Sequence, residues 1–330
     1  MSMQSMVELK GVTKRFTKPI SIGGRVARAV GGKTTEEIVH AVSDIDLEIK
    51  PGEVVGLVGE SGCGKSTLGR MIAGISSLSD GSLRYRGVEL SEMSRMQRRD
   101  YALGVQMIFQ DPMSSLNPRL RVVDIVGEAP VVHGLSSRRE RDYYVADLMR
   151  KVGLDPTYMR RLPHQFSGGQ RQRIGIARAL ALKPKMLVCD ETVAALDVSI
   201  QAQVLNLFLD LRDEMHLAYL FISHNLGVVE HVSDRVVIMY LGRIVETAPT
   251  KELFKASHHP YTQALIAELP SLSPGRRQYK PIKGELPSPL SPPSGCAFHP
   301  RCPYAMPICS VERPALKQIA GGHVSACHLN

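Results

Sequence analysis

Gly59-Glu60-Ser61-Gly62-Cys63-Gly64-Lys65-Ser66-Thr67 is the stretch on which the reading of this chain turns. It fits a glycine, four free positions, then Gly-Lys-Ser/Thr, a pattern that cradles phosphate. Gly59, Gly62 and Gly64 let the backbone turn tightly and aim N–H groups at phosphate oxygens in front of a helix N-terminus. Lys65 adds a mobile positive charge, and Ser66 offers its hydroxyl to a magnesium ion bridging the terminal phosphates. Ser61, Cys63 and Thr67 complete the candidate phosphate contacts. Val54-Val55-Gly56-Leu57-Val58 precedes the loop as a buried parallel strand would, and Leu68, Met71 and Ile72 follow at helical spacing. Strand, glycine loop, helix is the setting the motif requires.

The chain has 330 residues, 43% of them hydrophobic, enough for one large α/β domain with a small appendage. Nothing approaches the roughly 18 to 20 unbroken apolar residues of a membrane span, and the start, MSMQSMVELK, lacks the charged and apolar regions of a signal peptide. A cytoplasmic protein is expected. The net charge of +9 is scattered, and clusters such as Arg138-Arg139-Glu140-Arg141 carry their own acids. With no basic stripe interleaved with aromatics, solvated faces or a membrane assembly are favoured over nucleic acid.

Outward from the loop, Val7, Leu9 and Val12 and then Ile45, Leu47 and Ile49 alternate as an antiparallel strand pair, with an inserted loop between at 18–39. Phe16 is read either as a stacking platform for an adenine ring or as a strand-face core residue. Gln106 to Phe109 is a short apolar run that ends at Gln110, whose amide can reach metal or water where α/β sheets put their ligands. Residues 111–163 carry helical spacing at Val145, Leu148, Met149 and Val152, punctuated by Pro118, Pro130, Pro156 and Pro163. Ser167 can then cap a glycine-rich helix start, again suited to an anion. Met186 to Cys189 reads as a buried strand ending in Asp190-Glu191. Beside a phosphate cradle this places Asp190 on magnesium through a coordinated water and Glu191 on the attacking water. Tyr219 to Ser223 ends at His224, whose imidazole can contact the terminal phosphate.

Those residues together resemble the nucleotide-binding subunit of an ATP-binding-cassette (ABC) transporter over about residues 7–265. Gly59 to Thr67 corresponds to the Walker A loop, Gln110 to the Q-loop, Ser167-Gly168-Gly169-Gln170 to the signature, Asp190-Glu191 to Walker B, Asp197 to the D-loop and His224 to the switch histidine. The chain departs from the family at Thr192 and Ala194, where proline and serine are usual, which bears on the stiffness of the D-loop. The strings FQDPMSSLNPR at 109–119 and HPYTQAL at 259–265 resemble the di- and oligopeptide importer branch, which also includes nickel importers.

The resemblance implies an α/β fold: a RecA-like P-loop ATPase core, an antiparallel β subdomain, an α-helical subdomain at about 111–165 and a small cysteine-rich C-terminal extension. The nucleotide-binding domain would cover 1–265 and the extension 266–330. It also implies ATP and Mg2+ as cofactors, with Ser66, Gln110 and Asp190 around the metal. Ser167 and Gly169 would close on ATP held by the Lys65 of a second ATPase subunit. Two integral-membrane permease subunits, an extracytoplasmic binding protein and a place on the cytoplasmic face of the membrane follow. Ser114, Ser115 and Leu116 are the expected contacts with a permease. The competing class is a soluble cassette protein acting on ribosomes or DNA, which would carry tandem cassettes or a long coiled coil.

Cys296, Cys302, Cys309 and Cys327 crowd the last 35 residues, while Cys63 and Cys189 lie in the cassette. Disulfides do not suit a reducing cytosol, and the spacings lack the close pairs of structural zinc. A four-iron four-sulfur cluster is the expectation, in line with the branch the tail resembles, with zinc the alternative and His299, His323 and His328 as substitute ligands.

Overall fold

Val7–Thr17 (β1) and Ile38–Ile49 (β2) pair antiparallel with Val7 opposite Ile49 and Leu9 opposite Leu47, so the alternating apolar residues share one buried face. Residues 38 and 39 of the expected inserted loop are thus already strand. The computed structural model describes residues 4–17, 37–111, 115–269, 282 and 284–330, and residues 18–36 of that loop lie outside them. Val54–Val58 (β3), buried at every position, leads into the phosphate loop. Asp80–Tyr85 (β4) and Val88–Glu89 (β5) complete a four-stranded sheet in the order β2-β1-β4-β5.

The second sheet is the scaffold of the site. Val105–Ile108 (β6), Met186–Asp190 (β7), Ala218–Ser223 (β8) and Arg235–Tyr240 (β9) run parallel with β3 in the spatial order β9-β3-β8-β7-β6. These short runs are apolar because helices cover both faces, as parallel sheets require. Five C-terminal strand ends therefore share one edge, where α/β sheets place ligands. Arg243–Pro249 (β10), Lys317–Ala320 (β11) and His323–Ser325 (β12) extend the sheet antiparallel beyond β9, so residues near the end of the chain are built into the same sheet.

Helix Lys65–Ile72 (α1) follows the phosphate loop, and Arg95–Gly104 (α2) precedes β6. Val122–Val132 (α3) and Arg141–Lys151 (α4) form the helical layer, where Val122, Val126, Val145 and Met149 pack with Ile174 of Gly168–Leu180 (α5). Pro130, read as a break, lies inside α3, where it gives up its own backbone donor while its side chain is buried. Leu116 is also corrected: it is 2% exposed and belongs to this core, so it cannot offer its side chain to a permease. Ser115 has its carbonyl taken by Arg178, and Ser114 lies outside the described residues.

Val198–Met215 (α6) and Leu226–Val232 (α7) complete the cassette, followed by Thr250–Lys255 (α8), Pro260–Ala267 (α9) and Pro307–Val311 (α10). Phe298, in the C-terminal segment, packs edge-on against Tyr240 of β9 at 5.2 Å and at a tilt against Tyr261 of α9 at 5.3 Å between ring centres. Beneath them Glu246 of β10 is fully buried. It accepts from the backbone N–H groups of His258 (2.6 Å) and His259 (3.2 Å) and meets His323 Nε2 at 2.7 Å. A buried carboxylate with three partners fixes the HPY stretch and β12 together.

His259 is itself buried, and its Nδ1 accepts from the N–H of Tyr261 as the cap of α9. Burial pulls its pKa from the usual 6.5 down to about 4. Between those values the unfolded chain binds a proton that the folded chain refuses, so stability falls as pH drops through that window. His259→Asn keeps a capping oxygen and removes the titration. Urea unfolding of wild type should lose about 2 kcal/mol more than this variant between pH 7 and pH 5. Equal losses would mean that His259 is not held neutral.

Candidate functional site

The phosphate loop is shaped by contacts that leave no space for side chains. A Cβ on Gly59 would lie 2.1 Å from the carbonyl oxygen of Met239, and one on Gly64, where φ is +104°, would lie 2.1 Å from that of Ala41. Lys65 is 4% exposed, and its ammonium donates to the carbonyls of Gly59 (2.7 Å) and Glu60 (2.9 Å), with Cys63 Sγ at 3.9 Å. Ser61 and Gly62 are exposed at the tip, while Ser66 and Thr67 enter α1 half-buried. The loop's backbone is further pinned by the N–H of Gly242 donating to the carbonyl of Cys63 at 2.8 Å.

Ser66 Oγ donates to Asp190 Oδ1 at 2.8 Å. Burial raises the Asp190 carboxyl above its usual range, and the Ser66 hydroxyl opposes that rise. A hydroxyl oxygen beside a carboxylate oxygen is a ligand pair suited to a hard cation such as Mg2+.

One residue on, Glu191 has φ +47°, a backbone setting that side chains avoid and that functional positions tolerate. Its N–H bonds the carbonyl of Ile222, on β8, which fixes the turn. Gln110 Nε2 donates to Glu191 Oε2 at 2.7 Å, and His224 Nδ1 lies 3.5 Å from Glu191 Oε1. Three residues from three separate strand ends thus meet on one carboxylate. The carboxylate side chain is only 14% exposed, whereas the His224 ring is 54% exposed and faces outward.

The signature residues and Asp197 occupy a different flank. Ser167 caps α5 reciprocally with Gln170: its hydroxyl accepts from the Gln170 N–H, and the Gln170 side chain accepts from the Ser167 N–H. A Cβ on Gly169 would meet Ile200 at 2.5 Å, and one on Gly168 would touch Leu196 at 4.0 Å, so the signature turn rests directly on the start of α6. Asp197 is exposed there, with its carbonyl accepting from Gln201. Among the described residues, no hydrogen bond or ion pair joins Ser167, Gly168, Gly169, Gln170 or Asp197 to loop 59–67.

Where the family has proline, Thr192 is buried with its hydroxyl unpartnered, a cost of about 1–3 kcal/mol. Successive turn bonds, Ala194 N–H to Glu191 and Leu196 N–H to Val193, nonetheless hold the loop. Phe16 is 45% exposed, which removes the core reading, and Lys14 Nζ sits 5.0 Å from its ring centre.

Cys296, Cys302, Cys309 and Cys327 line one small cavity with His259, His299 and His328, while His323 is committed to Glu246. All six cysteines are free thiols. Among the described residues, no three His, Cys, Asp or Glu side chains are grouped as a ligand set for a metal ion.

Sequence reasoning missed three residues at the phosphate loop. Glu60 donates its N–H to the hydroxyl of Tyr261 at 2.9 Å, and its carboxylate is gripped by Arg301. Glu60 occupies a free position of the motif, and its acidic character in an anion site was the available signal.

Known proteins place these features in a family. A model of the ABC transporter family matches residues 42–194, and one of the oligopeptide/dipeptide transporter C-terminal region matches 245–309. The oligopeptide transport ATP-binding protein AppF of Bacillus subtilis is 46% identical over 332 residues, covering 99% of this chain and 98% of its own length. The oligopeptide transport ATP-binding protein OppF of Escherichia coli is 50% identical over 283 residues, 84% of this chain and 85% of its own. A dimeric post-hydrolysis structure of the ATP-binding cassette MJ0796, bound to ADP and Pi, matches with a TM-score of 0.62 and 26% identity over 74% of this chain and 99% of that one. With nearly half its residues shared from end to end with such transport ATP-binding proteins, the chain belongs to the ABC transporter family, in its oligopeptide and dipeptide branch.

Proposed function

We propose that this chain is the ATP-hydrolysing subunit that energises import of di- or oligopeptides through a multi-subunit ABC transporter. The observation that carries the reading is the Glu191 carboxylate held between Gln110 and His224, one residue past the Ser66–Asp190 pair. In this reading loop 59–67 and Lys65 hold the ATP phosphates, Phe16 stacks on the adenine, and Ser66, Gln110 and Asp190 surround Mg2+. Glu191 takes the proton from the attacking water, while His224 orients the carboxylate and contacts the terminal phosphate. The exposed signature turn and Asp197 are left to complete the site of a second ATPase subunit, which is why they stand apart from their own loop.

Peptide as cargo is supported by the relatives' names and by the matching C-terminal region. The two permease subunits, the extracytoplasmic binding protein and the cytoplasmic membrane face follow from that assembly. Among the described residues no helix is long and apolar enough to cross a membrane.

Glu191→Gln should leave MgATP binding intact and slow steady-state hydrolysis by the assembled transporter about 100- to 10,000-fold. Near wild-type turnover would remove Glu191 from the role.

We also propose that the four tail cysteines hold a four-iron four-sulfur cluster, which would supply a rigid crosslink and no step of hydrolysis. Support comes from four thiols on one cavity, three of them with pKa values raised by burial and then by their neighbours, which a cationic centre would relieve. Anaerobically purified protein should be brown, with about four irons per chain and broad absorption near 400 nm. Colourless protein with an ordered, protease-resistant tail would rule the cluster out.

A further inference from the structure

Glu60 is the one acid inside the phosphate loop, at the second position of a cradle built for polyanions. A free carboxylate there would oppose the charge the loop receives. It is not free. Arg301 Nη1 reaches both of its oxygens, at 2.8 and 3.1 Å, and also the hydroxyl of Tyr240 at 3.4 Å. The Arg301 side chain is 7% exposed, and the pairing lifts its pKa above the usual arginine value despite burial. Glu60 is held at two further points: its N–H donates to the hydroxyl of fully buried Tyr261, and its carbonyl accepts from Lys65. Arg301 lies 241 positions away in sequence and immediately before Cys302, on the wall of the cysteine cavity. Phe298, whose carbonyl accepts from the Arg301 N–H, packs on Tyr240 and Tyr261 and fixes the approach.

We propose that Arg301, seated by Tyr240 and Tyr261, is a positioning residue for ATP binding. By neutralising Glu60 and turning its carboxylate away from the phosphates, it lets the C-terminal segment set the nucleotide affinity of the loop. This rests on the reading of residues 59–67 as the nucleotide site.

The test is a charge cycle on the full-length chain, titrated with the Mg2+ complex of the non-hydrolysable analogue AMP-PNP. Arg301→Ala should weaken binding about tenfold, the scale of one unit charge near the surface of a protein. Glu60→Gln should bind as tightly as wild type or tighter, and adding Glu60→Gln to Arg301→Ala should recover the loss to within about threefold. A merely structural latch predicts no such recovery, because the double variant lacks the latch altogether. Wild-type affinity in Arg301→Ala, or a double variant as weak as the single one, overturns the proposal. Should Arg301→Ala fail to fold, Arg301→Gln retains much of the stem packing and is judged by the same outcomes. Lys65→Ala is the control: if it binds as wild type, the loop reading falls and this proposal with it, whereas loss in Lys65→Ala beside an unaffected Arg301→Ala sinks only the role of Arg301.

Discussion

The phosphate loop is wedged between two carbonyl oxygens, that of Met239 in one sheet and that of Ala41 in the other, at distances no Cβ could survive. Gly59 and Gly64 are therefore more than flexible residues in a turn. They are where the four-stranded antiparallel sheet and the eight-stranded sheet approach the same nine residues, so the position of the loop is set by both. The N–H of Ser43 bonding the carbonyl of Gly242 ties the sheets together at the same place. A loop held on both sides can present its N–H groups to a ligand without first being ordered, which is the physical content of a preorganised anion site.

From that junction the chemistry follows strand by strand. β6, β7 and β8 are short and buried, so the polar side chains at or just past their ends emerge at the same edge: Gln110, then Asp190 and Glu191, then His224. Their meeting on Glu191 needs no long loops, only parallel strands in the right order. The helical layer contributes differently. Its signature turn is closed by its own capping box and packed on α6, which makes it a rigid, outward-facing helix start suited to a partner's ligand.

Much of this was legible in the sequence because the decisive signals are local. Val54 to Val58 before a glycine loop, Met186 to Cys189 before Asp190-Glu191, and Tyr219 to Ser223 before His224 each combine an apolar strand with a polar end. What stayed hidden depends on long-range packing. Leu116 looked like part of a surface loop because its neighbours are polar, yet α3 and α5 enclose it. Pro130 looked like a break because proline forfeits a helix hydrogen bond, yet it lies inside α3 with its side chain buried. The fate of the tail could not be read at all: Glu246, His259 and His323 are joined only once β10 pairs with β12, and Arg301 finds Glu60 only because Phe298 docks on two tyrosines of the cassette.

In the proposed function, hydrolysis is organised on the Glu191 carboxylate beside the Ser66–Asp190 pair. An experimental structure of the assembled transporter carrying Glu191→Gln, with ATP and Mg2+ bound, tests it most directly. The expected result is the triphosphate in loop 59–67, Mg2+ against Ser66 and Gln110, a water between the terminal phosphate and residue 191, and the partner's signature turn closing over the nucleotide. A terminal phosphate turned away from residue 191, or a Mg2+ ion held by other side chains, would contradict it.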